Sequence, residues 1–123
     1  MTPTIMIVDD EPHIVKLEKA ILQVEGYQII TAHNGEEAIK KLETEKPDLI
    51  ILDMMMPGMS GRETCDKIRK NPMTKKYKVI FVTVAKFSEV GMVNLKDMNV
   101  IDYITKPFDN DDFVKRVKKA LEK

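Results

Sequence analysis

The chain has 123 residues, 43% of them hydrophobic, which suits one compact domain around a single core. Its 20 Lys and Arg residues balance 20 Asp and Glu residues, so no overall electric field favours nucleic acid or an anionic membrane surface. Because there is no signal-peptide pattern, no apolar run of membrane length and only one cysteine, Cys65, we expect a cytoplasmic protein without an internal disulfide.

The first part of the chain alternates between strand and helix patterns. Residues 4–8 are an apolar run typical of a strand, and Pro12 then opens a helix-like segment that ends near Gly26. The residues expected to face the core from this helix share helical spacing: Ile14, Leu17, Ile21 and Val24. Residues 27–32 again show a strand pattern.

Capping patterns mark the next two helices. Asn34 precedes a helix-like segment with Glu37 at its third position, and this helix is expected to end before Lys46-Pro47. Residues 49–52 form the third predicted strand. Ser60-Gly61-Arg62-Glu63 is a capping-box pattern that opens a helix, and the core residues expected in that helix are Cys65 and Ile68.

The last part of the chain repeats the alternation. Residues 79–83 predict the fourth strand and residues 100–104 the fifth. The apolar positions of a looser helix between them are Val90, Val93 and Leu95. Acidic residues within 109–112 begin a final helix whose end is rich in lysine, as the helix dipole favours.

This alternation predicts an α/β fold of the (βα)5 type, with a five-stranded parallel sheet and helices on both faces. The first and third strands are the most continuously apolar and belong in the centre, whereas the second and fifth carry polar residues, as edge strands can. The flavodoxin-like, doubly wound strand order 2-1-3-4-5 fits this pattern. We find no linker-like stretch and therefore expect one domain over residues 1–123.

Acidic residues end two neighbouring central strands of the predicted sheet. Asp9 and Asp10 follow the first strand, and Asp53 follows the third, so their carboxylates are expected to meet where ligands bind in such folds. Close carboxylates repel and need protons, an ammonium or a cation. Their oxygen ligands suit Mg²⁺, whereas zinc would require His or Cys ligands, for which His13 and His33 lack partners.

Two further strand ends complete this predicted site. The fourth strand stops at Thr83, and the fifth is followed by Lys106, held just before Pro107. A carboxylate nucleophile, a divalent cation, a hydroxyl and an ammonium are the groups needed to take up a phosphoryl group.

Four motifs in register give the chain a family resemblance: IMIVDDE, LIILDMMMPGMSG, VIFVT and DYITKPF. Together they make the sequence similar to the receiver domains of two-component response regulators along almost its whole length. The resemblance implies a stand-alone signalling switch, not an enzyme, with Asp53 as the acceptor of a phosphoryl group from a phosphohistidine.

The resemblance also implies a role for each site residue. Asp10, Asp53 and the Met55 carbonyl would contact Mg²⁺, with Asp9 acting through water. Thr83 and Lys106 would bind phosphoryl oxygens. Tyr103 resembles the family's switch aromatic, whose movement would alter the surface formed by the fourth predicted helix, the fifth strand and the last helix.

The implied partners are a histidine kinase or phosphotransfer protein and a downstream output protein, without direct contact to nucleic acid or membrane. The chain would be a monomer or a phosphorylation-dependent dimer. With no output domain after residue 123, it is either a stand-alone receiver or a piece excised from a larger DNA-binding or enzymatic regulator.

Other interpretations remain open at this point. An aspartyl-phosphate phosphatase of the haloacid dehalogenase type would carry Asp-x-Asp on its first strand and a cap segment, whereas Asp9 and Asp10 are adjacent here. A flavin mononucleotide binder would need a glycine- and hydroxyl-rich loop where this chain has DDEPH. Taken singly, the site residues have ordinary alternatives: Asp9 or Asp10 as a helix cap, Thr83 as a common strand residue, Lys106 as a surface lysine and Tyr103 as half-buried packing.

Three residues depart from the family pattern. Val84 stands where alanine is common, and its bulk could restrict access to the phosphoryl group. Asn99 stands where glycine is common. Met55 is apolar at a position where a polar side chain could align water, which predicts slow hydrolysis of a phosphoryl-aspartate.

Overall fold

The computed structural model describes residues 2–84 and 99–122. The described residues form five strands: β1 (Thr4–Val8), β2 (Gln28–Ala32), β3 (Leu49–Leu52), β4 (Val79–Thr83) and β5 (Asp102–Thr105). They also form four helices: α1 (Pro12–Val24), α2 (Gly35–Lys41), α3 (Gly61–Lys70) and α4 (Asn110–Glu122). The helix predicted around Val90, Val93 and Leu95 lies outside the described residues.

The strands pair in parallel in the order β2-β1-β3-β4-β5, which confirms the predicted topology. From β1 the sheet extends in one direction to β2 and in the other to β3. Such folds bind ligands at the place between β1 and β3 where the strand order reverses. Val8, at the end of β1, lies in register with Leu52, at the end of β3. The residues that follow these two strands are therefore brought next to each other.

The sheet has a hydrophobic layer on each face. Side chains such as Ile5 and Ile7 pack on one face against the buried sides of α1 and α4. Their neighbours along the strand, such as Met6 and Val8, pack on the other face against α2 and α3. This alternation follows from the two-residue period of a strand, and it confirms the prediction of helices on both faces.

The buried side of α1 differs from the predicted one. Leu17 is 45% exposed and Val24 is 84% exposed, although both were expected to face the core. The buried residues of this helix share a stripe about one position further on: Val15, Glu18 and Leu22. The prediction was wrong for Leu17 and Val24, whereas Ile21 is partly buried against the core. The acidic Glu18 lies in the middle of the true buried stripe, and acidic residues are usually interpreted as facing solvent.

The predicted helix caps are confirmed. The Glu37 amide donates to the Asn34 side chain at 2.7 Å, and Ser60 and Glu63 form a reciprocal capping box. Helix α2 ends at Lys41, earlier than predicted, because the chain continues in turns that include a hydrogen bond from the Glu43 amide to the Lys40 carbonyl.

The fifth strand begins two residues later than predicted, at Asp102, after a turn at Asn99. Asn99 has a φ of 56°, a left-handed conformation that glycine adopts freely and that asparagine tolerates better than most residues. This explains why glycine suits the position and why asparagine can replace it.

Within the described residues, none of the helices has the length and apolar character that crossing a bilayer requires.

Candidate functional site

The three predicted carboxylates converge at the carboxyl end of the central strands. Asp9, Asp10 and Asp53 each offer an oxygen, and these oxygens all lie within 4.8 Å of one another. The Asp53 amide donates to the Val8 carbonyl at 2.9 Å, which ties the end of β3 to the end of β1. Asp9 is 2% exposed and Asp53 is 4% exposed, so two of the three carboxylates are held away from bulk water.

Lys106 reaches this cluster from the segment after β5. Its Nζ donates to Asp9 Oδ2 at 2.6 Å and lies 3.6 Å from Asp53 Oδ2, with 7% of the side chain exposed. Burial disfavours the ammonium, but the hydrogen bond to Asp9 and the charges of Asp53 and Asp9 outweigh it. The pKa of Lys106 is therefore raised, and the side chain stays positively charged.

Backbone amides orient two of the carboxylates. The Glu11 amide donates to Asp9 Oδ1 at 3.0 Å, and the Met55 amide donates to Asp53 Oδ1 at 3.1 Å. Each bond spans two residues and fixes the side chain relative to the loop that follows its strand. The two groups are thus oriented by the turns that immediately follow the strands.

Glu18 is a fourth acidic group at the site, and the sequence analysis did not identify it. This α1 residue is 1% exposed, and its Oε2 has no hydrogen-bond partner among the described residues. Burial, with the negative charges of Asp9 and Asp53, raises the pKa of Glu18 to about 8, although Lys106 acts in the opposite direction. Glu18 therefore carries a proton at neutral pH. The sequence feature that could have indicated its burial is helical spacing, because Glu18 lies on one stripe with the apolar residues Val15 and Leu22.

Gly61 is a second residue whose role the sequence did not reveal. It is the first residue of α3, and its amide donates to the Met54 carbonyl at 3.0 Å. A Cβ at this position would lie 2.0 Å from the Asp53 carbonyl oxygen and 2.7 Å from the Met54 Cα. The loop that carries Asp53 can approach α3 only because residue 61 has no side chain.

The variant Gly61→Ala is expected to lower the free energy of unfolding by about 1–3 kcal/mol, because the methyl group overlaps backbone atoms that cannot rotate away. Helix propensity alone would instead favour alanine by up to about 1 kcal/mol. Thermal or urea unfolding distinguishes the two effects, with Lys67→Ala on the exposed side of α3 as the control. An unfolding free energy equal to or above that of the wild type would contradict the close packing.

The other predicted residues lie near the same edge of the sheet. Thr83 is the last residue of β4 and pairs with Thr105, while its side chain lies outside the described part. Tyr103 lies on β5 two residues before Thr105. It is half-buried against the hydrophobic layer between the sheet and helices α2 and α3. The Met55 side chain is 58% exposed beside the acidic cluster.

The donor set of the cluster suits a hard divalent cation. Three carboxylates face one ammonium, so three negative charges are opposed by one positive charge. Carboxylate oxygens are ligands that Mg²⁺ prefers, and the charge imbalance favours binding of a cation. The described residues place no histidine or cysteine in this cluster, so its chemistry does not favour zinc.

Comparisons with known proteins identify a family that the chain matches over most of its length. Residues 5–118 match the family model of the response regulator receiver domain. The chain is 42% identical over 123 residues to the alkaline phosphatase synthesis transcriptional regulatory protein PhoP of Bacillus subtilis (strain 168). That alignment covers 100% of this chain and 50% of the relative, so the chain spans about half the length of this curated relative.

Solved structures show the same fold. The response regulator TrrA of Thermotoga maritima, determined in complex with Mg²⁺-BeF, is 42% identical with a TM-score of 0.84, and the match covers 98% of this chain and 99% of that one. The chemotaxis protein CheY4 of Vibrio cholerae is 27% identical with a TM-score of 0.90, again over 98% of this chain and 99% of that one.

Proposed function

The chain belongs to the response regulator receiver domain family of two-component signalling, and we propose that it is a switch operated by phosphorylation of Asp53. The phosphoryl group comes from a phosphohistidine on a histidine kinase or phosphotransfer protein. The observation that carries this proposal is the position of Asp53, with Asp9 and Asp10 oxygens within 4.8 Å and the Lys106 ammonium at 3.6 Å.

The reaction is a transfer between two nucleophiles. An oxygen of the Asp53 carboxylate forms a bond to phosphorus, the bond between phosphorus and the histidine nitrogen breaks, and the nitrogen keeps that electron pair. The Met55 amide fixes the rotation of the Asp53 carboxylate during the attack. The Lys106 ammonium, now bound to Asp9, is close enough to turn toward the new phosphoryl oxygens. Thr83 is the hydroxyl donor proposed for the same oxygens.

We assign Asp10, Asp53 and the Met55 carbonyl as direct contacts of a Mg²⁺ ion, with Asp9 acting through water. A bound Mg²⁺ would neutralise the carboxylates and allow an anionic phosphoryl group to approach. Hydrogen bonds within the described residues support this division of roles. Both oxygens of Asp9 already accept hydrogen bonds, from the Glu11 amide and Lys106. The described hydrogen bonds engage neither oxygen of Asp10.

The output of the switch is a change of surface. Movement of Thr83 toward the phosphoryl group would allow Tyr103 to turn inward. This would alter the surface formed by β5, the last helix α4 and the helix predicted between β4 and β5. The half-buried position of Tyr103 at the edge of the core supports this role. A downstream protein or a second copy of the chain would recognise the altered surface.

A second candidate is that this chain is the receiver part of a larger regulator. The observation that favours it is the length of the PhoP relative, of which the chain covers 50% and which is named a transcriptional regulatory protein. Asp53 has the same role in both cases, but the altered surface would then act on an attached output domain. The acidic loop after β1 would repel the phosphate of a flavin mononucleotide. The adjacent Asp9 and Asp10 do not form the Asp-x-Asp pattern of the phosphatase type, so we propose no steady turnover of a substrate.

The protein incubated with Mg²⁺ and acetyl phosphate is expected to gain the mass of one phosphoryl group. Intact-mass spectrometry measures the gain, and a chelator added before the donor should prevent it. Uptake that is unaffected by the chelator, or no uptake at any Mg²⁺ concentration, would contradict the proposal.

The variant Met55→Asn is expected to shorten the lifetime of the phosphorylated protein several-fold. The exposed Met55 side chain lies beside Asp53 and offers no polar group to align a water molecule, whereas an amide would. The loss of phosphoryl mass with time after donor removal measures the lifetime. Met73→Asn, which changes an exposed methionine outside the site, is the control, and equal lifetimes in all three proteins would contradict the role of Met55.

A further inference from the structure

A groove of about 310 Å³ lies beside the acidic cluster, between α1 and the segment that joins β5 to α4. Its apolar lining residues define what we name the Leu17 groove: Ile14, Leu17, Val84, Pro107 and Phe108. Leu17 is 45% exposed and Val84 is 63% exposed, so the groove presents apolar surface to solvent. A volume of this size is at the lower end of the range for small-molecule sites.

The Leu17 groove is continuous with the proposed phosphorylation site. Lys106 lines the groove, and its Nζ lies within 3.6 Å of Asp53 Oδ2. Phe108 is held in place because its ring stacks on Phe113, with the ring centroids 4.5 Å apart. Once a bound Mg²⁺ offsets the charge of the carboxylates, a ligand with an anionic group at Lys106 and an apolar body along Leu17 and Val84 would match the groove. Glu11 is the other charged residue in its lining and lies at its α1 end.

We propose that the Leu17 groove binds the acyl group of small-molecule phosphodonors, so that aromatic acyl phosphates are preferred over acetyl phosphate. This inference rests on the proposed acceptance of a phosphoryl group by Asp53. An aromatic ring covering Leu17, Val84 and Phe108 would remove apolar surface from water, whereas the methyl group of acetyl phosphate is too small to do so.

The transfer step balances without another reactant. An Asp53 oxygen forms a bond to phosphorus, and the bond between phosphorus and the acyl oxygen breaks. The acyl group leaves as a carboxylate that keeps the bonding electron pair, so no proton moves. The groove binds the leaving group and thereby positions phosphorus near Asp53. Binding energy from atoms that do not react can accelerate a reaction in this way, by holding the reacting atoms in place.

Binding is tested without the reaction by using phosphonates, which cannot transfer their phosphorus. Phenacylphosphonate carries an aromatic ring and acetonylphosphonate a methyl group at the same position. With Mg²⁺ present, phenacylphosphonate is expected to shift the amide resonances of Leu17, Val84 and Phe108 and to bind about tenfold more tightly than acetonylphosphonate. Equal affinities, or shifts confined to other surfaces, would overturn the proposal.

The rate of mass gain is then compared for benzoyl phosphate and acetyl phosphate. We expect benzoyl phosphate to react about tenfold faster at low donor concentration, and Leu17→Ser to reduce this ratio severalfold. Val24→Ser, a substitution at an 84% exposed residue of the same helix, is the control and should keep the wild-type ratio. A ratio near one with both donors active would overturn the groove proposal and leave Asp53 as the acceptor.

Two other results have distinct meanings. Failure of both donors to add mass would contradict phosphoryl acceptance by Asp53, and the groove proposal would fail with it. Shifts of the groove resonances with protein concentration alone would show a second copy of the chain covering the groove, which would also overturn binding of an acyl group.

Discussion

The variant Asp53→Asn is expected to gain no phosphoryl mass from Mg²⁺ and acetyl phosphate, while the wild type gains one group. An amide keeps the shape of the side chain but loses the nucleophilic carboxylate oxygen, so the expected effect is complete loss. Unfolding does not explain such a loss, because Asp53 faces two carboxylates and one ammonium. Removing its charge relieves repulsion, and the melting temperature should be no lower than that of the wild type.

The matched control for this variant is Asp66→Asn. Asp66 lies on the exposed side of α3, where it pairs with Lys70 at 3.0 Å, away from the acidic cluster. This variant should gain phosphoryl mass at the wild-type rate. If Asp53→Asn still gained a phosphoryl group at a comparable rate, another residue would be the acceptor.

The variant Glu18→Leu is expected to raise the free energy of unfolding by about 3 kcal/mol near pH 7. Leucine has a volume similar to that of glutamate and suits a buried stripe between Val15 and Leu22, whereas the wild-type carboxyl must keep a proton to remain buried. The expected gain equals the free energy that the wild type loses at neutral pH because its folded state must keep a proton on Glu18. Urea unfolding in the presence of a chelator measures it.

The pH dependence identifies the cause. The folded-state pKa of Glu18 is raised from 4.5 to about 8, so the folded protein holds a proton that the unfolded chain releases above the lower value. Stability therefore falls as pH rises between these two values and then levels off. The advantage of Glu18→Leu should be small near pH 4.5 and grow toward pH 8, and Glu18→Gln should also remove this pH dependence. An advantage of equal size at all pH values would contradict a buried proton on Glu18.

Rules that depend on chain order and strand ends were sufficient to predict the fold and which charged side chains come together. Asp9, Asp10, Asp53 and Lys106 follow strands, and parallel strands end at one edge, so knowing the strands was enough to predict that these residues meet. The capping residues Asn34 and Ser60 were equally accessible, because a cap acts within one turn of its own helix.

Features that depend on packing between distant segments could not be predicted. Glu18 is buried because α1 presents that side to the sheet, and its charge made the true stripe look polar. Gly61 is required by the approach of α3 to the Asp53 carbonyl, a distance that no local pattern contains. The hydrogen bond between Lys106 and Asp9 was also not predicted, because the sequence places Lys106 near three carboxylates without distinguishing them.

The central claim is that Asp9, Asp10 and Asp53 hold one divalent cation beside the oxygen that accepts the phosphoryl group. Replacing Mg²⁺ by paramagnetic Mn²⁺ tests it directly, because amide resonances close to Mn²⁺ broaden. We expect the earliest broadening in segments 9–11 and 53–55, and its loss in Asp10→Asn. Earliest broadening around the acidic start of α4, or broadening unchanged in Asp10→Asn, would contradict the claim.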